Sequence, residues 1–287
     1  MCARLGERRW VRRRHDDTVR HDGGMDLGLD GRCFLVTGGS KGMGRATAQV
    51  LLDEGANVVV GARDASVLEA AVRHMSETSA GRVIGVAADL ADPSAAERLA
   101  AAAVARFGRL DGVLINGPSP RPSRALETSD PAWHEALDSV IIGTLRLVRA
   151  TVGAVGGAAQ SGAGGGCSIV MIISTSARQP IEGLSVSNVL RPGQAMLVRE
   201  LSDELAPYGV RVNGLLPGRI ATDRTFALDS RDGAPDAVRH EKELEIPLGR
   251  YGNPEEVARV ATFLLSPASS YVTGTLLAVD GGMLRSA

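Results

Sequence analysis

The chain has 287 residues, 44% of them hydrophobic and 23% charged, with a formal net charge of -1 at pH 7. That suits one large globular domain, or at most two, and gives no electrostatic footprint for nucleic acid or an anionic membrane. No run approaches the roughly 18 apolar residues of a membrane span, and the three cysteines and five histidines show no metal-ligand spacing, so no metal site is expected.

Residues 1–24 differ in composition from the rest of the chain. They are rich in arginine (Arg4, Arg8, Arg9, Arg12, Arg13, Arg14, Arg20) and lack the apolar stretch of a secretory signal. They read as a basic, disordered extension, with Met25 a candidate initiator; a nucleic-acid-binding arm is the weaker reading. The domain is taken as 25–287.

From about residue 31, strand and helix signals alternate. Cys33-Phe34-Leu35-Val36 is an apolar strand, and Cys33 reads there as an inert packing residue. A glycine-rich turn comes next, then a helix over 45–54. Residues 57–62 form a β-branched strand and 64–78 a helix, with Asp64 placed to cap it. A strand over 83–87 precedes an alanine-rich helix over 93–107 with proline in its first turn. Residues 112–115 are a short strand, and 130–151 a long helix with Asp130 as N-cap. Strands at 169–173 and 210–215 flank a helix over 194–205; a helix at 254–265 and a strand at 276–279 close the pattern. Apolar strands alternating with helices imply a single Rossmann-like, doubly wound α/β domain, a parallel sheet with helices on both faces, whose ligands lie at the carboxyl ends of the strands. Two segments break the rhythm. Residues 153–166, rich in Gly, Ala and Ser, read as a flexible surface loop. Residues 220–247 read as a mobile lid over a substrate pocket.

The turn itself, Thr37-Gly38-Gly39-Ser40-Lys41-Gly42-Met43-Gly44, is the strongest chemical signal. Between a buried strand and a helix start, glycines let the backbone approach a pyrophosphate, and the free N–H groups and dipole of the helix terminus attract its charge.

With these elements in place, residues 26–287 resemble the short-chain dehydrogenase/reductase superfamily, in pattern its 3-oxoacyl-carrier-protein-reductase-like members. The resemblance rests on Thr37-Gly38-x-x-x-Gly42-x-Gly44, on Asp89-Leu90 after the third strand, and on Val212-Asn213, Pro217-Gly218 and Thr222. It also rests on the tail motifs Pro247-Leu248-Gly249-Arg250, Pro254-Glu255-Glu256-Val257, Val272-Thr273-Gly274 and Asp280-Gly281-Gly282. It implies a cofactor site of Thr37, Gly38, Ser40, Lys41, Gly42, Met43, Gly44, Arg63, Asp89, Leu90, Asn116, Pro217, Gly218, Ile220 and Thr222. It further implies a small-molecule substrate, a cytoplasmic protein, and a homo-oligomer, dimer or tetramer. Charge argues for NADP(H) over NAD. An acidic residue at the end of the second strand would repel a 2′-phosphate, whereas this chain has Arg63, a forked donor suited to phosphate, with Lys41 nearby.

The catalytic motif departs from the family. Its usual chemistry needs a Tyr, a Lys four residues later, a Ser thirteen residues before the Tyr, and an Asn on the preceding long helix. Ser174 keeps the serine position, but Ser187 stands for the Tyr, Arg191 for the Lys and Val140 for the Asn, and only Asn116 survives of the fourth-strand motif. An aliphatic hydroxyl is a far weaker acid than a phenol, and Arg191 keeps a charge without relaying a proton. Val140 offers no side chain to the water that the family uses. Pro192 is expected to start or kink the helix. Tyr208, Tyr251 and Tyr271 lie away from this site, and His134 is a surface residue. His240, Asp223 and Glu182 fall in or near substrate-facing loops. Arg178 and Arg191 could hold an acidic group, and Ser176 and Ser185 read as turn residues. Ser174, Ser187 and Arg191 are therefore the catalytic candidates. The leading expectation is an NADP(H)-dependent oxidoreductase acting on a carbonyl or hydroxyl group with an atypical proton path. The alternatives are a non-redox isomerase, dehydratase or cyclase on the same scaffold, or a non-catalytic NADP(H)-binding subunit.

Overall fold

The computed structural model of the chain describes residues 26–79, 81–159, 166–231 and 233–285. The expected extension, residues 1–24, lies outside them. Seven strands form one parallel sheet in the order β3-β2-β1-β4-β5-β6-β7. They are β1 (Cys33–Thr37), β2 (Asn57–Ala62), β3 (Val83–Ala87), β4 (Gly112–Ile115), β5 (Ser168–Ile172), β6 (Arg211–Pro217) and β7 (Leu276–Val279). The chain leaves β1 for β2 and β3 on one side and returns to β4 on the other. The strand order therefore reverses between β1 and β4, where open α/β sheets bind ligands.

Alternation along each strand builds the two layers. Phe34, Val36, Val58, Val60, Leu114, Val170 and Ile172 point to one face, against α1 (Gly42–Asp53), α2 (Ala65–Ser76) and α9 (Pro254–Leu265). Leu35, Val59, Val113, Ile115, Ile169 and Met171 point to the other, against α3 (Ala95–Phe107), α5 (Gly143–Ala159) and α6 (Ser185–Leu205). The two-residue side-chain period forces this division. Each large apolar side chain removed from water contributes about 1.5–3 kcal/mol, which is why the central strands are apolar on both faces. Cys33 and Cys167 pack within the sheet, and burial pushes both thiols up to about 12, so they are inert packing residues.

Several local expectations are corrected. The helix expected over 130–151 is α4 (Asp130–Leu137), a π-helical turn (Asp138–Ile142) and α5, which runs on to Ala159. The expected loop at 153–166 is thus helical in its first half, while residues 160–165 lie outside the described residues. Ala150, Val152, Ala154 and Val155 pack on the core, and that burial overrides the low helix propensity of the glycines around them. Asp130 is the first helical residue and Ser129 holds the cap position. Pro93 precedes α3 rather than opening it. The segment 220–247 is not a bare loop but carries α7 (Asp223–Asp229) and α8 (Pro235–Leu244). Pro192 neither starts nor ends α6, which begins at Ser185 and carries the proline inside it, on an exposed position. Only the one ladder donor at 192 is lost, and the helix is held by buried Val186, Leu190, Ala195 and Val198 on either side of it. Among the described residues no helix is long and apolar enough to cross a membrane.

Candidate active site

Two cavities open along the carboxyl ends of the strands. The smaller, about 290 Å³, is bounded by the glycine turn after β1, the end of β2 and the segments after β3 and β4. The turn is sterically committed. Gly38 has φ +58°, and a Cβ there would lie 2.5 Å from the Asn116 carbonyl oxygen. A Cβ at Gly44 would collide with the Gly38 carbonyl, so α1 can dock on the turn only through glycine. Thr37 locks the turn to β4: its hydroxyl donates to the Leu114 carbonyl (3.3 Å) and accepts from the Asn116 amide (3.0 Å). Asn116 Nδ2 in turn donates to the Gly38 carbonyl (3.2 Å). The N-terminus of α1 has no side-chain cap, because Lys41 stands in the cap position.

Thr37, Gly38, Ser40, Lys41, Arg63, Asp89, Leu90 and Asn116 all border this smaller cavity. Arg63 is exposed at its rim. Asp64 is spent elsewhere. Its carboxylate accepts from the Ser66 amide (3.0 Å), the Ser66 hydroxyl (2.7 Å) and the Val67 amide (3.1 Å), so it caps α2, and these bonds hold it below the usual carboxylate range. The Asp64 carboxylate is thereby turned to the helix it caps, while Asp89 borders the cavity from the segment after β3.

The larger cavity, about 790 Å³, lies between the glycine turn, the loop after β5, α6 and the segment after β6. Met43, Pro217, Gly218, Ile220 and Thr222 border it, as do all three catalytic candidates, Ser174, Ser187 and Arg191. α7 and α8 close its outer side through Arg224, Leu228 and Lys242. Asn213 does not reach it. That residue is fully buried, donating to the Val272 carbonyl (2.9 Å) and accepting from the Thr275 amide (3.2 Å), and so ties β6 to the tail segment.

Ser187 and Arg191 stand one helical turn apart on the buried face of α6. The Ser187 hydroxyl lies 3.1 Å from that of Ser176, which is also buried. Ser176 is thus not merely a turn residue, since it holds Ser187. Its amide also donates to Ser174 Oγ (3.1 Å), leaving the Ser174 O–H free to donate into the cavity.

Arg191 is 3% exposed, and its partners are all neutral. Nη1 donates to Gln194 Oε1 (2.6 Å) and Nη2 to the Pro118 carbonyl (3.2 Å), while Nε is buried without a partner. Gln194 continues inward, Nε2 donating to Thr144 Oγ1 (3.3 Å) and the Val140 carbonyl (3.4 Å). Val140 therefore contributes its backbone rather than its side chain. The π-helical turn at Asp138–Ile142 aims the carbonyl at the site, where it also accepts from Thr144 Oγ1 (2.7 Å). Burial pushes the Arg191 guanidinium down to about 10, and the Arg224 charge adds to the push.

Other candidates fall away from this cavity. Arg178 is exposed and donates to the Leu276 carbonyl (3.3 Å) at the sheet edge. His240 is exposed on α8 and does not border the cavity; neither does Asp223. Glu182 borders it from an exposed position. Tyr208 and Tyr271 are exposed, and the buried Tyr251 hydroxyl donates to Asp229 Oδ2 (3.0 Å) and accepts from Arg219 (3.0 Å). No phenol replaces the missing one. Gln194, Thr144 and Arg224 were not singled out from the sequence, and Ser176 was read only as a turn residue. A glutamine three residues after Arg191 on a buried helix face was the one local signal for any of them.

The family model for enoyl-(acyl carrier protein) reductase matches residues 38–284. The chain belongs to the short-chain dehydrogenase/reductase superfamily. It is an oxidoreductase acting on CH–OH or C=O groups, as are its relatives. Galactitol 2-dehydrogenase (L-tagatose-forming) of Cereibacter sphaeroides is 34% identical, over 88% of this chain and 95% of that one. L-Sorbose reductase of Gluconobacter frateurii, solved with NADPH and L-sorbose, superposes with a TM-score of 0.84 at 29% identity, covering 92% of this chain and 100% of that one. An NADPH-bound short-chain oxidoreductase of Pseudomonas aeruginosa PAO1, described as containing an atypical catalytic center, superposes with a TM-score of 0.81 at 34% identity, covering 89% and 98%.

Proposed function

We propose that this oxidoreductase uses NADP(H) and reduces a carbonyl, or oxidises the matching alcohol, at a site where a buried guanidinium and serine hydroxyls replace the phenol and lysine. The observation that carries the reading is the join between the two cavities. Pro118 borders the smaller one, and its carbonyl accepts from Arg191, which borders the larger one.

The residues present fit a dinucleotide. The uncapped N-terminus of α1 suits a pyrophosphate, and Arg63 with Lys41 suits a 2′-phosphate, the neighbouring Asp64 being turned to the cap of α2. Arg191, one turn from Ser187 and bonded to the Pro118 carbonyl, stands where the two cavities meet, and its Nε is left for a bound acceptor. The NADPH bound by the sorbose reductase and by the Pseudomonas oxidoreductase supports the same cofactor here.

When bound, the nicotinamide supplies or takes the hydride. Ser174 donates its free O–H to the carbonyl oxygen and polarises it. Arg191 keeps its charge at neutral pH and stabilises the oxyanion that forms as the C=O electron pair moves onto oxygen. Ser187 and Ser176 are too weakly acidic to supply the final proton themselves. They are placed to orient a solvent molecule that passes a proton in from bulk solvent, so that the alkoxide oxygen becomes the hydroxyl and no hydroxide is left in the site. The atypical catalytic center of the Pseudomonas protein supports a reductase scaffold that departs from the usual set.

The test mixes purified protein with NADPH and a panel of ketones, oxo acids and oxoacyl thioesters and tracks loss of reduced-nicotinamide absorbance. Turnover with any of them supports the proposal. Tight NADPH binding with no turnover across the panel would return the non-redox and non-catalytic readings.

A further inference from the structure

The larger cavity carries more positive charge than hydride transfer needs. Arg191 and Arg224 approach it from different elements, α6 and α7, and are braced against the same short strap. Arg191 Nη2 donates to the Pro118 carbonyl (3.2 Å) and Arg224 Nη2 to the Pro120 carbonyl (3.4 Å), with Ser119, a lining residue, between them. Neither guanidinium has a carboxylate partner among the described residues. The other charged groups lining the cavity are paired or sit at its edge. Arg219 pairs with Asp229, and Lys242 pairs with Glu245 (2.7 Å). Arg124 and Glu182 are both exposed.

Two neighbouring guanidiniums without a counter-ion are costly, and the cost is largest for Arg191. It is 3% exposed, lines the cavity, and has one N–H with no acceptor at all. A buried charge in that condition is stabilised by a ligand of opposite sign. A neutral sugar-like substrate would leave the repulsion between the two in place. Distance narrows the chemistry further. Ser187 precedes Arg191 by one turn of α6, a rise of about 5–6 Å, and both face the cavity. An anionic group held at Arg191 and Arg224 therefore sits next to the reacting carbon rather than at the far end of a long substrate.

We propose that the substrate is an oxo acid whose carboxylate adjoins the reacting carbonyl, a 2-oxo or 3-oxo acid or the matching hydroxy acid, clamped between Arg191 and Arg224. Arg224 rides on α7, so carboxylate binding also draws that helix onto the cavity. The assignment rests on the reductase reading for its chemistry but is tested by binding alone.

The experiment titrates phenylpyruvate and acetoacetate, with their methyl esters as uncharged counterparts, into the protein by calorimetry, with and without saturating NADPH. The acids are expected to bind at least about tenfold more tightly than the esters, the size of one charge-assisted bond. Arg224→Gln should remove most of that preference and Arg224→Lys should keep part of it. Raising salt from about 0.05 to 0.5 M should weaken the acids and leave the esters unchanged. Equal binding of acid and ester, no binding of either acid, an unchanged preference in Arg224→Gln, or inorganic phosphate competing better than either acid would each overturn it. Failure of the reductase reading looks different: the acid preference and its loss in Arg224→Gln would persist while NADPH was not consumed.

Discussion

The glycine turn after β1 and the wall formed by α6 lie at the same end of the sheet but obey opposite rules. In the turn, the constraints are steric fit and neutral hydrogen bonds, made within the turn and to the segment after β4. Gly38 and Gly44 have no room for a side chain, and Thr37 and Asn116 have their hydrogen bonds filled by the adjacent backbone. At the α6 wall the constraint is a buried charge held only by neutral partners. Arg191 depends on Gln194 on its own helix, but also on Pro118 beyond β4, Thr144 on α5 and Arg224 on α7. The turn is built for one kind of ligand and leaves little to vary. The wall holds an under-compensated charge, so its chemistry is set by which groups happen to surround that charge. On the proposed function, the contrast accounts for a scaffold that keeps its cofactor surface while its proton-transfer residues differ.

Four variants probe the contrast. The largest effect is expected from Gly44→Ala. The new methyl must displace the Gly38 backbone, an overpacking cost of about 1–3 kcal/mol, so NADPH affinity should fall roughly 10- to 100-fold. Fluorescence titration of the cofactor reads this directly, and unchanged affinity would show that the turn is not steric in origin. Next comes Arg63→Ala. Loss of a charge-assisted bond, about 1.5–3 kcal/mol, should weaken NADPH at least about tenfold while NADH changes little. Equal weakening of both would remove the 2′-phosphate assignment.

At the wall, the double substitution Arg191→Met with Gln194→Leu removes the buried charge together with its partner. It should abolish reductase activity yet raise folding stability by about 1–3 kcal/mol, because an uncompensated buried charge costs more than it returns. Denaturant unfolding decides the point, and a less stable double variant would mean that the charge is already well compensated. The pH dependence obeys the same logic. The folded-state pKa of Arg191, about 10, is below its ordinary value, so its burial costs stability while it is charged, and that cost is relieved as pH rises above about 10 toward the ordinary guanidinium range. The stability advantage of the double variant should therefore shrink over that window and be constant between about pH 6 and 9. The smallest effect belongs to Ser176→Ala. Ser187 loses its hydroxyl partner at a cost of about 1 kcal/mol. The expected outcome is a kcat lowered by a few-fold with KM nearly unchanged, separating an ordering role for Ser176 from a binding one.

Much of the fold was legible in the chain because its signals are local. Strand boundaries matched where a charged residue borders the apolar run, as with Arg63 after Asn57–Ala62 and Arg82 before Val83–Ala87. Asp64 read correctly as a cap because an N-cap acts within three residues. Errors arose where packing overrode propensity. The glycines after residue 152 suggested a loop, yet apolar neighbours on the core face carry α5 to Ala159. Pro192 suggested a helix start or a kink, yet α6 begins earlier, at Ser185, and carries the proline between buried residues. The site divided in the same way. Ser174, Ser187 and Arg191 were found by position along the chain, and all three border one cavity. Arg178 and His240 were suggested by chemistry alone and lie elsewhere.

The sequence by itself determined the doubly wound sheet, the glycine turn at its switch point and the absence of the usual Tyr and Lys. Those features depend on a two-residue side-chain period, on backbone angles that favour glycine, and on the identity of single residues. Only the tertiary structure decided that Arg191 is buried without a counter-ion, that Gln194 and the Val140 carbonyl brace it, and that Arg224 meets it across a shared strap. A charge is compensated or left bare by whatever lies within a few ångströms of it. Here the Pro118 carbonyl stands 73 residues from Arg191 along the chain, and Thr144 stands 50 from Gln194, so folding alone brings them together.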